Sequence, residues 1–356
     1  MTNFTCRTCA TTYAIDTTQW CCSCGGLFDL SFEADLSADS FTHRPPTLWR
    51  YREAIPIQND DHIVSLDEGF TPLTQITIDD APIYIKQEHL FPSGSYKDRG
   101  ATVLISHAKA LGVERMVEDS SGNAGAAVAA YAARAGIECD IYVPDSTSPA
   151  KLIQIRSYGA TLHRIPGSRE DTAHAVQDAA QKHFYASHVW NPFFFHGTKT
   201  FAYEIWEQLN FRVPDTLIIP TGNGTLLLGV YIGFTDLLKQ NLIDRIPKLI
   251  AVQSTHCAPL TPDWQGASTE TIAEGIAIAE PARAEQMREC IKNTNGEIIT
   301  VTDNETLAAH KQMAEMGFYI EPTSATAIAA FKKYPAQKAE ITIAPLTGHG
   351  LKTAGK

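Results

Sequence analysis

The sequence predicts an α/β protein with open parallel sheets, and two observations support this. From about residue 61 onward, apolar strands alternate with helical patterns, an order typical of βαβ units. Several of these strands run directly into polar or glycine-rich turns, and parallel sheets bind ligands at such carboxyl ends. With 356 residues, 44% of them hydrophobic and 19% charged, the chain can bury a sizeable core in two or three domains.

Charge and hydropathy limit the classes of function. The formal net charge of −11 disfavours nucleic-acid binding, which needs clustered Lys and Arg. No apolar run reaches the ~20 residues that a membrane helix requires, and the first residues show no basic-then-apolar signal. We therefore expect a cytoplasmic protein that binds neither nucleic acid nor membrane.

A lysine follows a Gly/Ser turn in residues 93–100, which read Ser-Gly-Ser-Tyr-Lys-Asp-Arg-Gly. The pattern places Lys97 at a helix start, where the positive end of the helix dipole disfavours a protonated amine and suits a nucleophile. By itself, the same octapeptide is also compatible with an ordinary turn before a charged helix.

A second turn, Ser-Ser-Gly-Asn, lies between a predicted strand at 115–117 and an alanine-rich helix at 126–135. The side chains of Ser120, Ser121 and Asn123, with free backbone N–H groups, suit a carboxylate or a ring oxygen. A simple helix cap is the alternative, because Ser and Asn are good N-caps.

Two further strands end in glycine-containing turns. Strand 217–219 leads into Gly222, Asn223, Gly224 and Thr225, which suit a phosphate but lack the Lys-Ser/Thr of a P-loop and the third glycine of a dinucleotide site. A small phosphorylated cofactor fits better than a nucleotide. Strand 341–345 delivers Thr347 in Leu-Thr-Gly-His-Gly-Leu-Lys. The other predicted elements are helices at 152–158, 171–183 and 305–316 and strands at 140–143, 161–165 and 249–253.

In this order, the four motifs resemble those of fold type II pyridoxal-phosphate (PLP) enzymes, most closely the threonine synthase family. The resemblance covers roughly residues 60–353 and includes the segment 317–325, Gly-Phe-Tyr-Ile-Glu-Pro-Thr-Ser-Ala. It implies that Lys97 forms the Schiff base with the cofactor and that Asn123 binds its ring hydroxyl. It also implies that Thr347 faces the pyridine nitrogen, and that the phosphate is held by Gly222, Asn223, Gly224 and Thr225.

The resemblance also implies an architecture. A smaller domain, residues 95–190, would be inserted into a larger one formed by residues 29–94 and 191–356, with the cofactor in the cleft. By analogy we expect a homodimer.

The chemistry implied is elimination or replacement at Cβ or Cγ of an amino acid. A neutral threonine at the pyridine nitrogen favours rapid loss of a leaving group, and Lys97 would act as general base at Cα. Ser120 and Ser121 would hold the substrate carboxylate or an oxyanion leaving group. For the threonine synthase family the reaction converts O-phosphohomoserine and water into threonine and phosphate.

Phe194 departs from the family pattern. It stands in Asn-Pro-Phe-Phe-Phe-His-Gly-Thr-Lys-Thr (191–200), where an arginine usually grips the substrate phosphate. Lys199 or His196 could substitute, although Lys199 could equally be solvated and His196 structural. A less anionic substrate, as in a threonine/serine dehydratase, is the main alternative. The other alternative is a non-enzymatic protein, in which the cofactor fold is vestigial and the amino-terminal segment described next recruits a partner.

The amino-terminal segment, residues 1–28, contains two CxxC pairs separated by eleven residues. Cys6, Cys9, Cys21 and Cys24 match a zinc-ribbon pattern, and four thiolates leave no open position, so the Zn²⁺ would be structural. A redox or incidental cluster is the alternative. Cys22 would then be a spare thiol.

Overall fold

The computed structural model describes residues 2–37, 41–167, 169–266, 270–334 and 340–353. The chain forms two compact units. The first combines Met1–Gly69 with Lys97–Thr198, and the second combines Phe70–Tyr96 with Lys199–Lys356. Each unit has its own sheet, so each is described separately.

The first unit contains a small antiparallel sheet and a larger parallel one. The antiparallel sheet has the order β2-β1-β3, and the parallel sheet has the order β8-β7-β6-β9. The strands are β1 (Asn3–Cys6), β2 (Thr12–Ala14), β3 (Phe28–Ser31), β6 (Arg115–Glu118), β7 (Glu138–Pro144), β8 (Thr161–Ile165) and β9 (Phe184–Tyr185). The helices are α1 (Lys97–Ala110), α2 (Asn123–Ala135), α3 (Pro149–Ser157), α4 (Arg169–Ala179) and α5 (Pro192–Thr198).

The second unit is a six-stranded sheet with the order β12-β11-β10-β13-β5-β4, parallel except for the β4–β5 pair. Its strands are β4 (Leu73–Ile78), β5 (Ala81–Lys86), β10 (Thr216–Pro220), β11 (Lys248–Ser254), β12 (Glu297–Val301) and β13 (Thr342–Pro345). Its helices are α6 (Thr200–Gln208), α7 (Thr225–Lys239), α8 (Ala284–Asn293), α9 (Asp303–Glu315) and α10 (Pro322–Lys333). Short 3₁₀ turns occupy Leu48–Ala54, Asp60–His62, Glu88–Leu90, Glu274–Ile276 and Gly350–Thr353.

The predicted strands and helices are confirmed, with ends that differ by a few residues. They follow from simple patterns: the central strands β10 and β13 are short apolar runs, and α2 is rich in alanine, the best helix former. Among the described residues, no helix combines the length and the apolar character that crossing a bilayer requires.

The division into units groups segments that are distant in the chain. Residues 29–69 and 191–198 belong to the first unit, together with residues 97–190. Packing gives the reason. The segment before Gly69 is hydrogen-bonded to α1. The backbone N–H of Val64 donates to Oγ of Ser106 at 2.9 Å, and Nε1 of Trp49 donates to Oγ1 of Thr102 at 3.1 Å. The aromatic ring of Phe4 packs on Phe193 of α5.

Candidate active site and metal centre

Lys97 is the first residue of α1, as the turn pattern predicts. The residues that follow it, Asp98, Arg99 and Gly100, are fully buried, whereas Lys97 itself is half-buried. Its Nζ lies 5.7 Å from the centre of the Phe194 ring. The amine therefore lies at the N-terminus of α1, beside the aromatic ring of Phe194.

Phe194 is a core residue of the first unit. Its side chain has no exposed surface, and a Cβ built on Gly100 would lie 2.3 Å from the ring. The ring of His188 meets it edge-on at 5.9 Å, and the Nδ1 of that histidine is 2.8 Å from Glu118. Helices α1 and α5 thus approach each other closely through a glycine and a phenylalanine.

The Ser-Ser-Gly-Asn turn connects β6 to α2, which begins at Asn123. Ser120, Ser121 and Asn123 are partly exposed, so their polar atoms are accessible. A Cβ on Gly125 would lie 1.8 Å from the carbonyl oxygen of Ser120, so only glycine lets the turn close this tightly. The turn presents hydroxyls and an amide at a helix N-terminus, a site that suits an anionic or oxygen-bearing group.

In the second unit, residues 222–225 connect β10 to α7. Gly224 has φ +76°, a conformation that glycine adopts without strain, and α7 begins at Thr225. A Cβ on Gly222 would lie 2.9 Å from the Cα of Ile276, so this glycine permits close backbone packing. Because the N-cap residue is a glycine, it has no side chain that could cap the first N–H groups of α7. This end of the helix is therefore suited to a phosphate.

Tyr96 bridges two of the sequence motifs within the second unit. Its hydroxyl lies 2.8 Å from Oγ1 of Thr225, and its backbone N–H donates to the carbonyl oxygen of Thr347 at 3.1 Å. The residue immediately before Lys97 is therefore bonded to both the glycine loop and the carboxy-terminal motif.

Thr347 follows β13 and is 2% exposed. Its hydroxyl is 3.0 Å from Oγ of Ser324 and donates to Oε1 of Glu321 at 3.2 Å. The Ser324 hydroxyl in turn accepts from the backbone N–H of Gly348 at 3.0 Å. A buried polar cluster therefore fixes the Thr347 side chain.

Lys199, which the sequence predicts to bind substrate, lies inside the second unit. Its side chain is completely buried, and its Nζ pairs with Oδ2 of Asp236 at 2.8 Å, where the Tyr203 hydroxyl also donates at 2.6 Å. Burial lowers the pKa of Lys199, while Asp236 acts in the opposite direction. The structure thus gives this lysine an internal, structural partner. His196 is also buried, with its ring edge against Phe32, as the structural alternative predicts.

Comparison with known proteins gives the family. A model of the family described as "Pyridoxal-phosphate dependent enzyme" matches residues 64–345. The chain belongs to this family.

The most similar relatives include threonine synthases. That of Methanocaldococcus jannaschii is 34% identical over 98% of this chain and 92% of its own. That of Methanosarcina acetivorans is 31% identical over 99% and 92%. Among solved structures, an O-ureido-L-serine synthase superposes with a TM-score of 0.70 at 22% identity, covering 83% of this chain and 92% of its own. The last similarity shows the shared fold alone, which is the predicted fold type II architecture.

The residues present fit pyridoxal phosphate. Ser95 is fully buried two positions before Lys97, and its hydroxyl has no hydrogen-bond partner among the residues that the structure describes. It pairs with Gly348 through an isolated β-bridge, so it lies beside the Thr347 motif. An orphaned buried hydroxyl is costly unless a ligand satisfies it. Together with the glycine cap of α7, it supports a polar, phosphorylated ligand here.

Four cysteines in the first unit form a cluster that suits a metal. The sulfur atoms of Cys6, Cys9, Cys22 and Cys24 all lie within 4.8 Å of one another, and the closest pairs are 3.5 Å apart. Tetrahedral Zn²⁺ with bonds of about 2.3 Å needs thiolates roughly 3.8 Å apart, so the cluster fits zinc.

This cluster corrects the predicted ligand set, because it contains Cys22 in place of Cys21. The backbone N–H of Cys24 and then the Tyr13 hydroxyl lower the pKa of Cys22 to about 6, whereas burial raises the pKa of Cys21. The position of its sulfur within the cluster favours Cys22 as the ligand. A Cβ on Gly26 would lie 2.6 Å from the Cys6 sulfur, which explains the glycine after the second pair.

Sequence reasoning missed the contributions of Tyr96, Glu321, Ser324 and Cys22. The first three stand inside motifs that the sequence singles out, but only the packing of the second unit shows which atoms they reach. For Cys22, the run Cys-Cys-Ser-Cys offers two possible ligands, and the spacing alone does not distinguish them.

Proposed function

We propose that the protein is a threonine synthase, which converts O-phosphohomoserine and water into threonine and phosphate. The observation that carries this proposal is the position of Tyr96, bonded to both Thr225 and Thr347. These two hydrogen bonds connect the residue before Lys97 to the glycine loop and to the carboxy-terminal motif. The threonine synthases at 31–34% identity over nearly the whole chain support the substrate.

Within this proposal, Lys97 would hold the cofactor covalently, and Asn123 would bind its ring hydroxyl. The residues that would bind its phosphate, at the N-terminus of α7, are Gly222, Asn223, Gly224 and Thr225. Thr347 would be the partner of its ring nitrogen. The cofactor supplies the electron sink that stabilises negative charge at the substrate Cα.

The protein supplies proton transfer and orientation. With the cofactor and substrate bound, the Nζ of Lys97 would take the proton from the substrate Cα. Its placement at the start of α1 beside the Phe194 ring limits the positions that this amine can reach. Ser120 and Ser121 bind the substrate carboxylate, and their partial exposure supports this role.

A second candidate function is a threonine or serine dehydratase, which releases ammonia. Phe194 favours it, because a buried phenylalanine cannot grip a substrate phosphate as the family's arginine would. The pairing of Lys199 with Asp236 leaves that lysine unsuited to replace the arginine.

Product analysis separates the two functions. The purified holoenzyme is incubated with O-phosphohomoserine in one reaction and with threonine or serine in others, and phosphate and ammonia are both measured. Stoichiometric phosphate and threonine support the synthase. Ammonia and a keto acid from unphosphorylated substrates, without phosphate release, support the dehydratase.

We also propose that Cys6, Cys9, Cys22 and Cys24 bind one structural Zn²⁺ per chain. Four thiolates complete a tetrahedral shell and leave no position for substrate. All eight cysteines are free, which supports a reducing compartment such as the cytoplasm. A homodimer is proposed by family resemblance, and sedimentation equilibrium of the purified protein tests it.

A further inference from the structure

The strand that carries the first cysteine of the metal centre is also part of the core around α1. In β1 the buried residues are Phe4 and Cys6, which alternate with half-buried ones and therefore share one face of the strand. The Phe4 ring meets the ring of Phe193 on α5 edge-on at 5.9 Å and the ring of His107 on α1 at 6.3 Å. One residue of this strand thus places its sulfur in the cysteine cluster, and its neighbour on the same face contacts both helices.

A series of aromatic contacts connects a second cysteine to the same ring. The hydroxyl of Tyr13 lies 3.2 Å from Sγ of Cys22, and the Tyr13 ring packs on Phe28 with centroids 5.0 Å apart. The Phe28 ring in turn stacks on Phe4 at 5.4 Å. Two of the four clustered sulfur atoms, those of Cys6 and Cys22, are therefore connected to Phe4, one along the strand and one through ring contacts.

The two helices that Phe4 contacts are those that surround Lys97 in the first unit. The ring of His107 on α1 stacks on Phe193 of α5, with centroids 3.6 Å apart and planes at 6°. The next residue of α5, Phe194, lies with its ring centre 5.7 Å from Nζ of Lys97 at the start of α1. A shift of α5 against α1 would therefore move the ring beside the amine.

We infer that Phe4 is a positioning residue that couples the metal centre to Lys97. The inference rests on both proposals above, in which the cysteine cluster binds Zn²⁺ and Lys97 binds the cofactor. A bound metal fixes β1, and β1 fixes the packing of α5 on α1 through the Phe4 ring. The metal centre then contributes to the placement of the reactive amine, beyond stabilising its own segment.

A coupling of this kind is reciprocal. If zinc favours the arrangement of α1 and α5 that binds the cofactor, the cofactor must strengthen zinc binding by the same factor. Two independent sites would each bind with an affinity that the other does not change.

The test is the zinc affinity of the purified protein with and without bound pyridoxal phosphate, after removal of excess cofactor. Competition with a chromophoric chelator measures it and does not depend on turnover. In wild type we expect zinc to bind about fivefold or more tightly to the cofactor-loaded protein. In Phe4→Leu, which keeps all four cysteines but removes the ring contacts, the ratio of the two affinities should fall toward one.

The matched control is Val176→Ala. Val176 is fully buried on α4, and it packs with Val117 and Tyr185 in a separate core cluster of the same unit. The change shortens a buried side chain away from the Phe4 contacts, so this variant should keep the wild-type ratio.

Equal zinc affinities for wild-type protein with and without cofactor would overturn the inference. So would a wild-type ratio in Phe4→Leu, or an equal loss of the ratio in Val176→Ala. If Phe4→Leu does not fold, Phe193→Leu removes the same ring contact from the side of α5 and takes its place. Wild-type protein that binds no zinc contradicts the metal proposal, and protein that binds no cofactor contradicts the proposed function. The inference falls with either, and the two failures are distinguishable from independent binding at both sites.

Discussion

The hydroxyl of Tyr96 lies 2.8 Å from Oγ1 of Thr225, the first residue of α7. If Tyr96 donates to this oxygen, the Thr225 proton is left for a phosphate at the helix N-terminus. The same tyrosine precedes Lys97 in the chain, so its side chain connects the loop proposed to bind phosphate with the turn that leads to the lysine.

Tyr96→Phe should weaken cofactor binding while preserving the fold. The change removes a single hydrogen bond, worth about 0.5–1.5 kcal/mol, so the cofactor Kd should rise about twofold to tenfold. Equilibrium dialysis against free pyridoxal phosphate measures it. The control is Tyr231→Phe. Tyr231 lies on α7, as Thr225 does, and the change removes a hydroxyl that is hydrogen-bonded to Asn293. An unchanged Kd in Tyr96→Phe would show that the contact does not support phosphate binding.

Cys22→Ser should lose the zinc, and Cys21→Ser should keep it. The two positions are adjacent, so the pair isolates the ligand from the general effect of removing a thiol. Metal analysis under reducing conditions should give one zinc per chain in wild type and Cys21→Ser. Because a structural zinc contributes folding free energy, Cys22→Ser should also destabilise the first unit. The opposite pattern would restore Cys21 as the ligand.

Gly100→Ala should destabilise the packing of α1 on α5. The new Cβ would lie 2.3 Å from the Phe194 ring, and overpacking of this kind costs about 1–3 kcal/mol. Denaturant unfolding measures the loss. The double variant Gly100→Ala/Phe194→Leu should recover part of it, since leucine vacates the ring position. Without such a recovery, Phe194 would not be the residue that restricts position 100.

His107 should make the first unit less stable in acid. Burial lowers its pKa from 6.5 to about 3, and its ring stacks on Phe193 with centroids 3.6 Å apart. Between these values the unfolded chain binds a proton that the folded protein does not. Stability therefore falls as the pH decreases through this window, by up to about 1.4 kcal/mol per pH unit.

The variant His107→Phe should reduce this slope in unfolding free energies measured at several pH values between 6.5 and 3. The control is His43→Gln, an exposed position of the same unit. A slope that persists unchanged in His107→Phe would assign the acid sensitivity to other groups.

Local pattern was sufficient to predict the strands, the helices and the four motif turns. Lys97 begins a helix and Asn123 begins another because turn residues and helix formers are encoded next to each other. Contacts distant in sequence were not predictable in this way. The burial of Lys199 against Asp236 and the attachment of residues 29–69 to α1 depend on packing that no local spacing records.

The sequence identified Phe194 as a departure from the family pattern, but its packing was not predicted. The sequence suggests a substrate less anionic than phosphohomoserine, whereas the structure shows the ring filling the space above Gly100. A side chain that is needed for packing carries less information about the substrate than one that lines an open pocket.

The central claim is that Lys97 drives the threonine synthase reaction, and product stoichiometry tests it most directly. Wild-type holoenzyme, Lys97→Ala and the exposed control Lys109→Ala are each given O-phosphohomoserine, and phosphate and threonine are measured together with the visible absorbance of the bound cofactor. We predict one phosphate for each threonine in wild type and Lys109→Ala, and neither product nor the wild-type absorbance band in Lys97→Ala. Activity with an unchanged band in Lys97→Ala, or ammonia from serine or threonine with no phosphate release in wild type, would contradict the claim.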